Sequence, residues 1–347
     1  MIHYAGLDVS LKLTSVCVVD EKGKIVREAK VESEPGALIG FFAELGLPVA
    51  RIGLEAGPLS QHLHAGLAED GLDVVLLETR HVKAALSAMT VKTDRKDARG
   101  IAQLLRMGWF RPVHCKSMAA QEKRALLTAR KLLVCKLLDV ELSVRGILRG
   151  FGLKVGGTTK KIFADKVRTL IAGQATLELV IEPLLRCHAT LRAEFTSLHR
   201  QLLAAVRSDD VCKRLMTVPG VGPVAVLTYT ATVDDPARFT SSRSVGPHFG
   251  LTPRKYQSGE TDVTGGITKA GDAMARSALY EAALSMLVKT QRMSALKAWA
   301  MQVARRRGLK RAVVALARKL ATVLHRMWVD GTEFHWTREV PAVPAAA

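Results

Sequence analysis

Three short apolar stretches open the chain, each rich in Val, Ile, Thr and Tyr and each bounded by polar turns: Ile2–Val9, Leu13–Asp20 and Lys24–Val31. Runs of this length and composition read as strands, and EKGK at Glu21–Lys24 supplies a hairpin turn between the last two. After Pro35 the spacing changes. Ala37–Leu45 and Leu59–Glu69 are patterned as helices, Arg51–Glu55 and Leu72–Leu77 as short strands, and Arg80–Met107 as helical segments. From Met118 to Val206 the signal is helical, with Leu126, Leu127, Leu133, Leu137 and Leu138 interleaved with Arg124, Arg130, Lys131 and Lys136. The basic, Gly-rich FGLKVGGTTKK (Phe151–Lys161) divides this region into two long helices, an arm or helical hairpin. Its irregular heptads leave both an intrachain bundle and a coiled-coil dimer open. From about Val211, TVPGVGP (Thr217–Pro223) leads into a Gly-, Ser- and Thr-rich segment that ends near Gly271. Helices close the chain, the last with Val313, Leu316, Leu320 and Leu324 on one face.

Three meandering strands followed by alternating helix and strand predict a mixed α/β sheet, in the element order of the ribonuclease-H-like fold. The expected division is 1–112 as that α/β domain and 113–207 as a helical or coiled-coil linker and arm. A mostly α-helical domain with a helix-hairpin-helix-like turn and a serine motif follows at 208–330, and 331–347, with PAVPAAA at its end, is a disordered tail. The opening MIHYAGLDVS lacks a basic leader and meets Asp8 before an apolar run develops, and no stretch approaches the ~20 apolar residues of a spanning helix. The expectation is a soluble cytoplasmic protein with no membrane partner.

Composition sharpens this picture through charge. The 347 residues are 48% hydrophobic and 24% charged, enough to bury cores in two or three domains and unlike a disordered polycation. The net charge is +19, but residues 1–110 carry 13 basic and 14 acidic side chains, so +20 belongs to residues 111–347. Such asymmetry points to a polyanion gripped by the second part. Nine basic and no acidic residues lie between Ser294 and Val329, among them Arg305, Arg306, Arg307, Lys310 and Arg311, which form a candidate phosphate-binding face. Five scattered cysteines without CxxC spacing give neither a zinc site nor a disulfide framework. Only 5% of residues are aromatic, which favours backbone and duplex contacts over stacking platforms.

The candidate chemistry begins with carboxylates. Asp8 and Glu55 fall at strand ends, and Asp94 and Asp97, three apart in TDRKDA, share a side of a helix. Clustered acidic oxygens suit magnesium, and two such ions stabilise both the attacking and leaving oxygens of a phosphodiester. Each residue also has a plain structural role open to it, as an N-cap, a dipole partner or a turn residue. In TVPGVGP, Gly220 and Gly222 bound a turn that can aim backbone N–H groups at a phosphate, or that serves only to join two helices. In GLTPRKYQSGETDVTGGITKAGD, Ser258 is surrounded by Arg254, Lys255 and Lys269, cations able to neutralise charge on an attacked phosphate. The loop alone does not select Ser258 over Ser241, Ser242 or Ser244.

Taken in order, GLDVS, GLEAG, KTDRKDA, VPGVGP, SGETD and GGITKAGD resemble the DEDD-type insertion-sequence transposases, also called bridge-RNA-guided recombinases, over nearly the whole chain. The resemblance implies a RuvC-like N-terminal domain in which Asp8, Glu55, Asp94 and Asp97 bind magnesium, with manganese as a substitute. It implies a serine nucleophile at Ser258 that becomes joined to DNA. It also implies a structured noncoding RNA that pairs with donor and target DNA, and a dimer or tetramer assembled through the middle helices, acting at the bacterial nucleoid. Two positions depart from the family pattern: Asp262–Thr264 stand where a basic residue is frequent, and Asp272 where Asn is. The expected function is transposition through a covalent serine–DNA intermediate. The alternatives are a resolvase-type nuclease that uses water, and a nucleic-acid-binding protein without catalysis.

Overall fold

The computed structural model describes residues 1–87, 92–159 and 161–336, which fall into two compact units meeting at Lys116 and Ser117. In the first unit, β1 (His3–Val9), β2 (Leu13–Asp20) and β3 (Ile25–Glu32) form an antiparallel meander. They are followed by α1 (Pro35–Leu45), β4 (Val49–Glu55), α2 (Ser60–Glu69), β5 (Val74–Leu77), α3 (Thr79–Leu86), α4 (Asp94–Arg106) and β6 (Pro112–Val113). The strand order is β3-β2-β1-β4-β5-β6, with β4 parallel to both β1 and β5.

Both faces of the sheet are covered, and the strand period of two sorts the side chains between them. Ala5, Leu7, Val16 and Val18 meet Leu38, Phe42, Leu63 and Leu67 of α1 and α2. Cys17 and Val19 face the other way, onto Ala98 and Ala102 of α4. This explains why six consecutive residues of β2, Thr14–Val19, are buried.

The second unit begins with α5 (Met118–Gly150), α6 (Phe163–Ile171), α7 (Ala175–Ser208), α8 (Asp210–Leu215) and α9 (Pro223–Val233). It continues through α10 (Val245–His248), β7 (Pro253–Ser258), β8 (Thr261–Ile267), α11 (Ala273–Val288), α12 (Ala295–Arg307) and α13 (Leu309–Asp330). The long helices α5 and α7 pack against one another within the chain. A small core of its own, with Val144, Leu148, Phe163, Val167, Ile181 and Leu185, closes the arm around α6. The unit's main core surrounds α9, whose residues Val226–Val233 are all buried. Within it the Tyr229 hydroxyl donates to the Ala321 carbonyl at 2.8 Å. Val313, Leu316, Leu320 and Leu324 form the buried face of α13.

Four features differ from the sequence expectations. The Gly-, Ser- and Thr-rich segment is a two-stranded hairpin, and α6 and the two-residue β6 are additional elements. The loose tail expected from residue 331 does not begin there: the Phe334 amide donates to Thr217 Oγ1 at 3.0 Å, and Arg292 lies over the Trp336 ring. PAVPAAA, like residues 88–91 of the expected helical segments, lies outside the described residues. Among the described residues no helix is long and apolar enough to cross a membrane.

Candidate active site

Asp8 is the penultimate residue of β1, and Glu55 ends the neighbouring parallel strand β4, one step beyond the Leu7–Leu54 pair. Asp94 and Asp97 occupy the first turn of α4, which packs across β1. The cap of that helix is Thr93, whose Oγ1 accepts from the Lys96 amide, so Asp94 is not engaged as a cap. Burial pushes the Asp8 carboxyl up to about 6, and the negative charges of Asp94 and Asp97 add to the rise. Glu55 is raised in the same way, by burial first and then by Asp8 and Asp97. The four carboxylates thus form one mutually repelling set, countered on one side by Lys92, whose Nζ is 3.7 Å from Asp97 Oδ2. Among the described residues no three acidic, His or Cys side chains already stand at coordination spacing. The donor set and its excess of negative charge over the cation Lys92 fit a hard divalent cation, which takes oxygen ligands and relieves this repulsion.

What holds Asp94 and Asp97 over the sheet lies along the rest of α4. A Cβ at Gly6 of β1 would come within 2.1 Å of the Ala98 carbonyl oxygen and 2.4 Å of the Ala102 nitrogen, so glycine lets the helix settle directly onto the strand. Arg95 and Arg99, one turn apart, both grip Glu28 of β3. Their hydrogen bonds hold the Glu28 carboxyl down near 2. Further along, Gln103 Nε2 donates to the Gly23 carbonyl at 2.7 Å and Arg106 Nη1 to that of Glu21 at 3.3 Å, tying α4 to the hairpin turn. Gly6, Glu28, Arg95 and Arg99 were not candidates from the sequence. The available signal was the i, i+4 arginine pair beside the two aspartates.

Ser258 ends β7 and pairs with Thr261 across a turn made by Gly259, with φ of 55°, and Glu260. The whole of β7 is exposed. Its base, in contrast, is tightly built. Gly250 and Gly271 both have positive φ, and a Cβ at either would lie about 2 Å from a backbone oxygen, of Ala270 and His248 respectively. Arg276 Nη1 donates to the carbonyls of Phe249 and Ala270, stapling the two ends together. Lys255 Nζ is paired with Asp262 Oδ2 at 3.2 Å across the strands, while Arg254 Nη2 reaches the Thr268 carbonyl and Lys269 is exposed. Asp262 therefore partly neutralises one of the cations beside Ser258. Asp272 caps α11 through the Ala275 amide at 2.7 Å and pairs with Arg124 of α5, which gives this departure from the family pattern a structural function.

Gly220 has φ of 84°, and a Cβ there would meet the Ala282 oxygen at 2.5 Å and the Met286 nitrogen at 2.7 Å. Close packing against α11 already requires this glycine. Gly222 is the N-cap of α9, with open space where a Cβ would be. Arg305, Arg306 and Arg307 end α12, Gly308 turns the chain, and Lys310 and Arg311 begin α13, all of them exposed. The structure thus brings the four carboxylates together within the first unit, and gathers the basic corner and the serine hairpin within the second.

Residues 5–152 match a DEDD-type IS110 domain described as a transposase. Residues 212–298 match the family described as Transposase IS116/IS110/IS902. The two matches name one group and together span more than half of the sequence. The chain belongs to the IS110 family of transposases. It is 29% identical over 328 residues to a transposase for insertion sequence element IS1111A of Coxiella burnetii, covering 93% of this chain and 88% of that one. It is 23% identical over 291 residues to a transposase for insertion sequence element IS1328 of Yersinia enterocolitica, covering 83% and 86%. Asp8, Glu55, Asp94 and Asp97 all fall within the DEDD match, and Ser258 within the second. As a member of this family the chain is a DNA transposase, and its DEDD domain implies a ribonuclease-H-like fold of a kind typically dependent on a divalent metal.

Proposed function

We propose that the chain cuts and rejoins DNA strands through a covalent link to Ser258, with Asp8, Glu55, Asp94 and Asp97 holding magnesium, or manganese in its place. The observation that carries this reading is the four-carboxylate set, in which burial first and then the charges of Asp94 and Asp97 lift Asp8 to about 6, an arrangement that a bound cation would relieve. A divalent ion bound there supplies Lewis-acid stabilisation of charge on a phosphodiester. The order β3-β2-β1-β4-β5 supports the ribonuclease-H-like reading of residues 1–112.

Ser258 suits the nucleophilic role because its hairpin projects from a rigid base, so the hydroxyl is accessible yet anchored. Attack forms a bond from Oγ to phosphorus and breaks the bond to one deoxyribose oxygen, which takes up the serine proton. The reverse exchange with a second strand end restores serine and completes joining, so no outside energy source is needed. Arg254 and Lys269 lie close in sequence to the developing charge. The basic corner Arg305–Arg311, with Gly222 at a helix start, supplies sequence-independent grip.

Target choice on this reading comes from a noncoding RNA of the element paired with donor and target DNA, while residues 113–207 assemble a dimer or tetramer. Exposed Leu132, Leu138 and Leu142 on α5 support such an assembly. The setting is the cytoplasm of a bacterium, at the nucleoid. Labelled donor DNA, incubated with protein, target DNA, magnesium and the flanking transcript, tests the reading on a denaturing gel. DNA retained on wild-type protein but not on Ser258→Ala or Asp8→Asn is expected. Free 5′-phosphate ends without retained DNA would assign the attack to water.

A further inference from the structure

A groove of about 940 Å³ runs between α12, α13 and the base of the β7–β8 hairpin. Its floor is apolar, with Leu251, Leu296, Trp299, Val314 and Val323, and its rim carries Arg243, Lys310, Arg311, Arg318 and Lys319 without any acidic residue. Among the described residues Arg243, Lys310, Arg311 and Arg318 have no carboxylate partner. Lys319 Nζ stands 3.8 Å from the centre of the Trp299 ring, which places a cation against the indole. A core stripe with a solvated basic face explains the buried side of α13, but Val314 and Val323 lie outside that stripe and face the groove.

We propose that this groove holds an unpaired segment of the DNA strand being joined, its bases on the apolar floor and its phosphates on the rim. The inference rests on the reading of the hairpin as the DNA-joining element. Along α13 the groove-facing residues alternate in tiers: Lys310 and Arg311, then Val314 and Ala315, then Arg318 and Lys319. The two cationic tiers are about 12 Å apart at ~1.5 Å per residue, with the apolar tier between them. A strand with splayed bases offers the same sequence of charge, apolar ring and charge. A duplex offers only its phosphates, because its bases are stacked inside, and leaves the floor unused. An acidic protein segment would satisfy the rim, but it carries a planar ring only where an aromatic residue happens to fall, whereas every nucleotide brings a base for the floor together with its phosphate for the rim.

Position argues for DNA as the occupant. Pro253, Gly265, Gly266 and Ile267 form one wall of the groove, and Ser258 stands at the far end of the same strand β7. Five residues at ~3.4 Å each put it about 17 Å from Pro253, within reach of a strand only a few nucleotides long. A segment lying in the groove is thereby tethered near the serine, and duplex opening at the joining site would be stabilised by the bases it frees.

The test uses the full chain and a single-stranded DNA oligonucleotide carrying 2-aminopurine. Binding is expected to change the 2-aminopurine fluorescence. Trp299→Ala should weaken binding about tenfold, and Trp299→Phe much less. Arg311→Ala with Arg318→Ala should lower the salt slope by about 1.4, from two phosphate contacts at ~0.7 each. Thermal melting confirms that each variant folds, and Ser258→Ala should bind this probe like wild type. Equal losses for duplex and single strand would overturn the proposal in favour of general phosphate attraction. Tighter binding of RNA of the same sequence, lost in the same variants, would overturn it in favour of RNA. Failure of the serine adduct with intact groove binding would count against the nucleophile alone, so the two readings fail separately.

Discussion

Gly6 of β1 lies directly beneath Ala98 of α4, so close that a methyl group on Gly6 would sit 2.1 Å from the Ala98 carbonyl oxygen. Asp8 lies two residues further along the same strand, and on the same helix Asp94 stands one turn before Ala98 and Asp97 immediately before it. The depth at which α4 seats on the sheet therefore sets the spacing of three of the four carboxylates. The helix is fixed at this depth by backbone contact at Gly6 and by the grip of Arg95 and Arg99 on Glu28.

Gly6→Ala should force α4 away from the sheet, because the obstructing atoms are backbone and cannot rotate aside. Overpacking of this kind costs about 1–3 kcal/mol. Urea unfolding should show that loss, and strand cleavage in cells should fall further than stability alone accounts for. An unchanged midpoint would mean that α4 is not seated on β1.

Glu28→Gln should destabilise the first unit in a pH-dependent way. The folded carboxyl lies near 2, below its ordinary value of 4.5, because Arg99 and Arg95 hydrogen-bond the ionised form. The stability it contributes is present above 4.5 and is lost as pH falls toward 2. The gap in unfolding midpoint between wild type and variant should be widest near neutrality and narrow through that window.

Asp8→Asn should have the opposite sign in the absence of divalent metal. The folded carboxyl lies at about 6 against an ordinary 3.8, through burial and then through Asp94 and Asp97. Its favourable contribution is complete below 3.8 and lost as pH rises through 6, so with EDTA the variant should melt with wild type near pH 3.5 and above it at pH 8. Magnesium should reverse the order at pH 8, raising wild type more than the variant.

Gly220→Ala should lower stability while leaving the salt dependence of DNA binding unchanged, since its positive φ and contact with Ala282 are packing constraints. Gly222→Ala has open space and only a cap to lose, so it should be the milder change by melting. A reduced salt slope in Gly222→Ala with little loss of stability would identify that turn as a phosphate contact.

Much of the first unit is legible in the chain because its signals are local. Short runs rich in Val, Ile, Thr and Tyr in β1 and β2, the EKGK turn, and carboxylates at strand ends or in a first helical turn are all readable within ten residues. The hairpin that carries Ser258 is not legible in this way, since β7 is exposed on both faces and has no apolar alternation to display its period. Gly6 reads as an ordinary strand residue until Ala98 of α4, 92 residues later, is laid across it. Likewise Gly220 and Asp272 reveal their constraints only when α11 and Arg124 of α5 are in place.

The central claim is that Ser258 becomes joined to DNA. Protein incubated with donor and target DNA, magnesium and the flanking transcript, then digested with protease and nuclease, should yield the peptide containing Ser258 with a nucleotide on that serine by mass spectrometry. The adduct should be absent from Ser258→Ala. Recombination products formed with no nucleotide on the Ser258 peptide, or an adduct of unchanged yield in Ser258→Ala, would contradict the account.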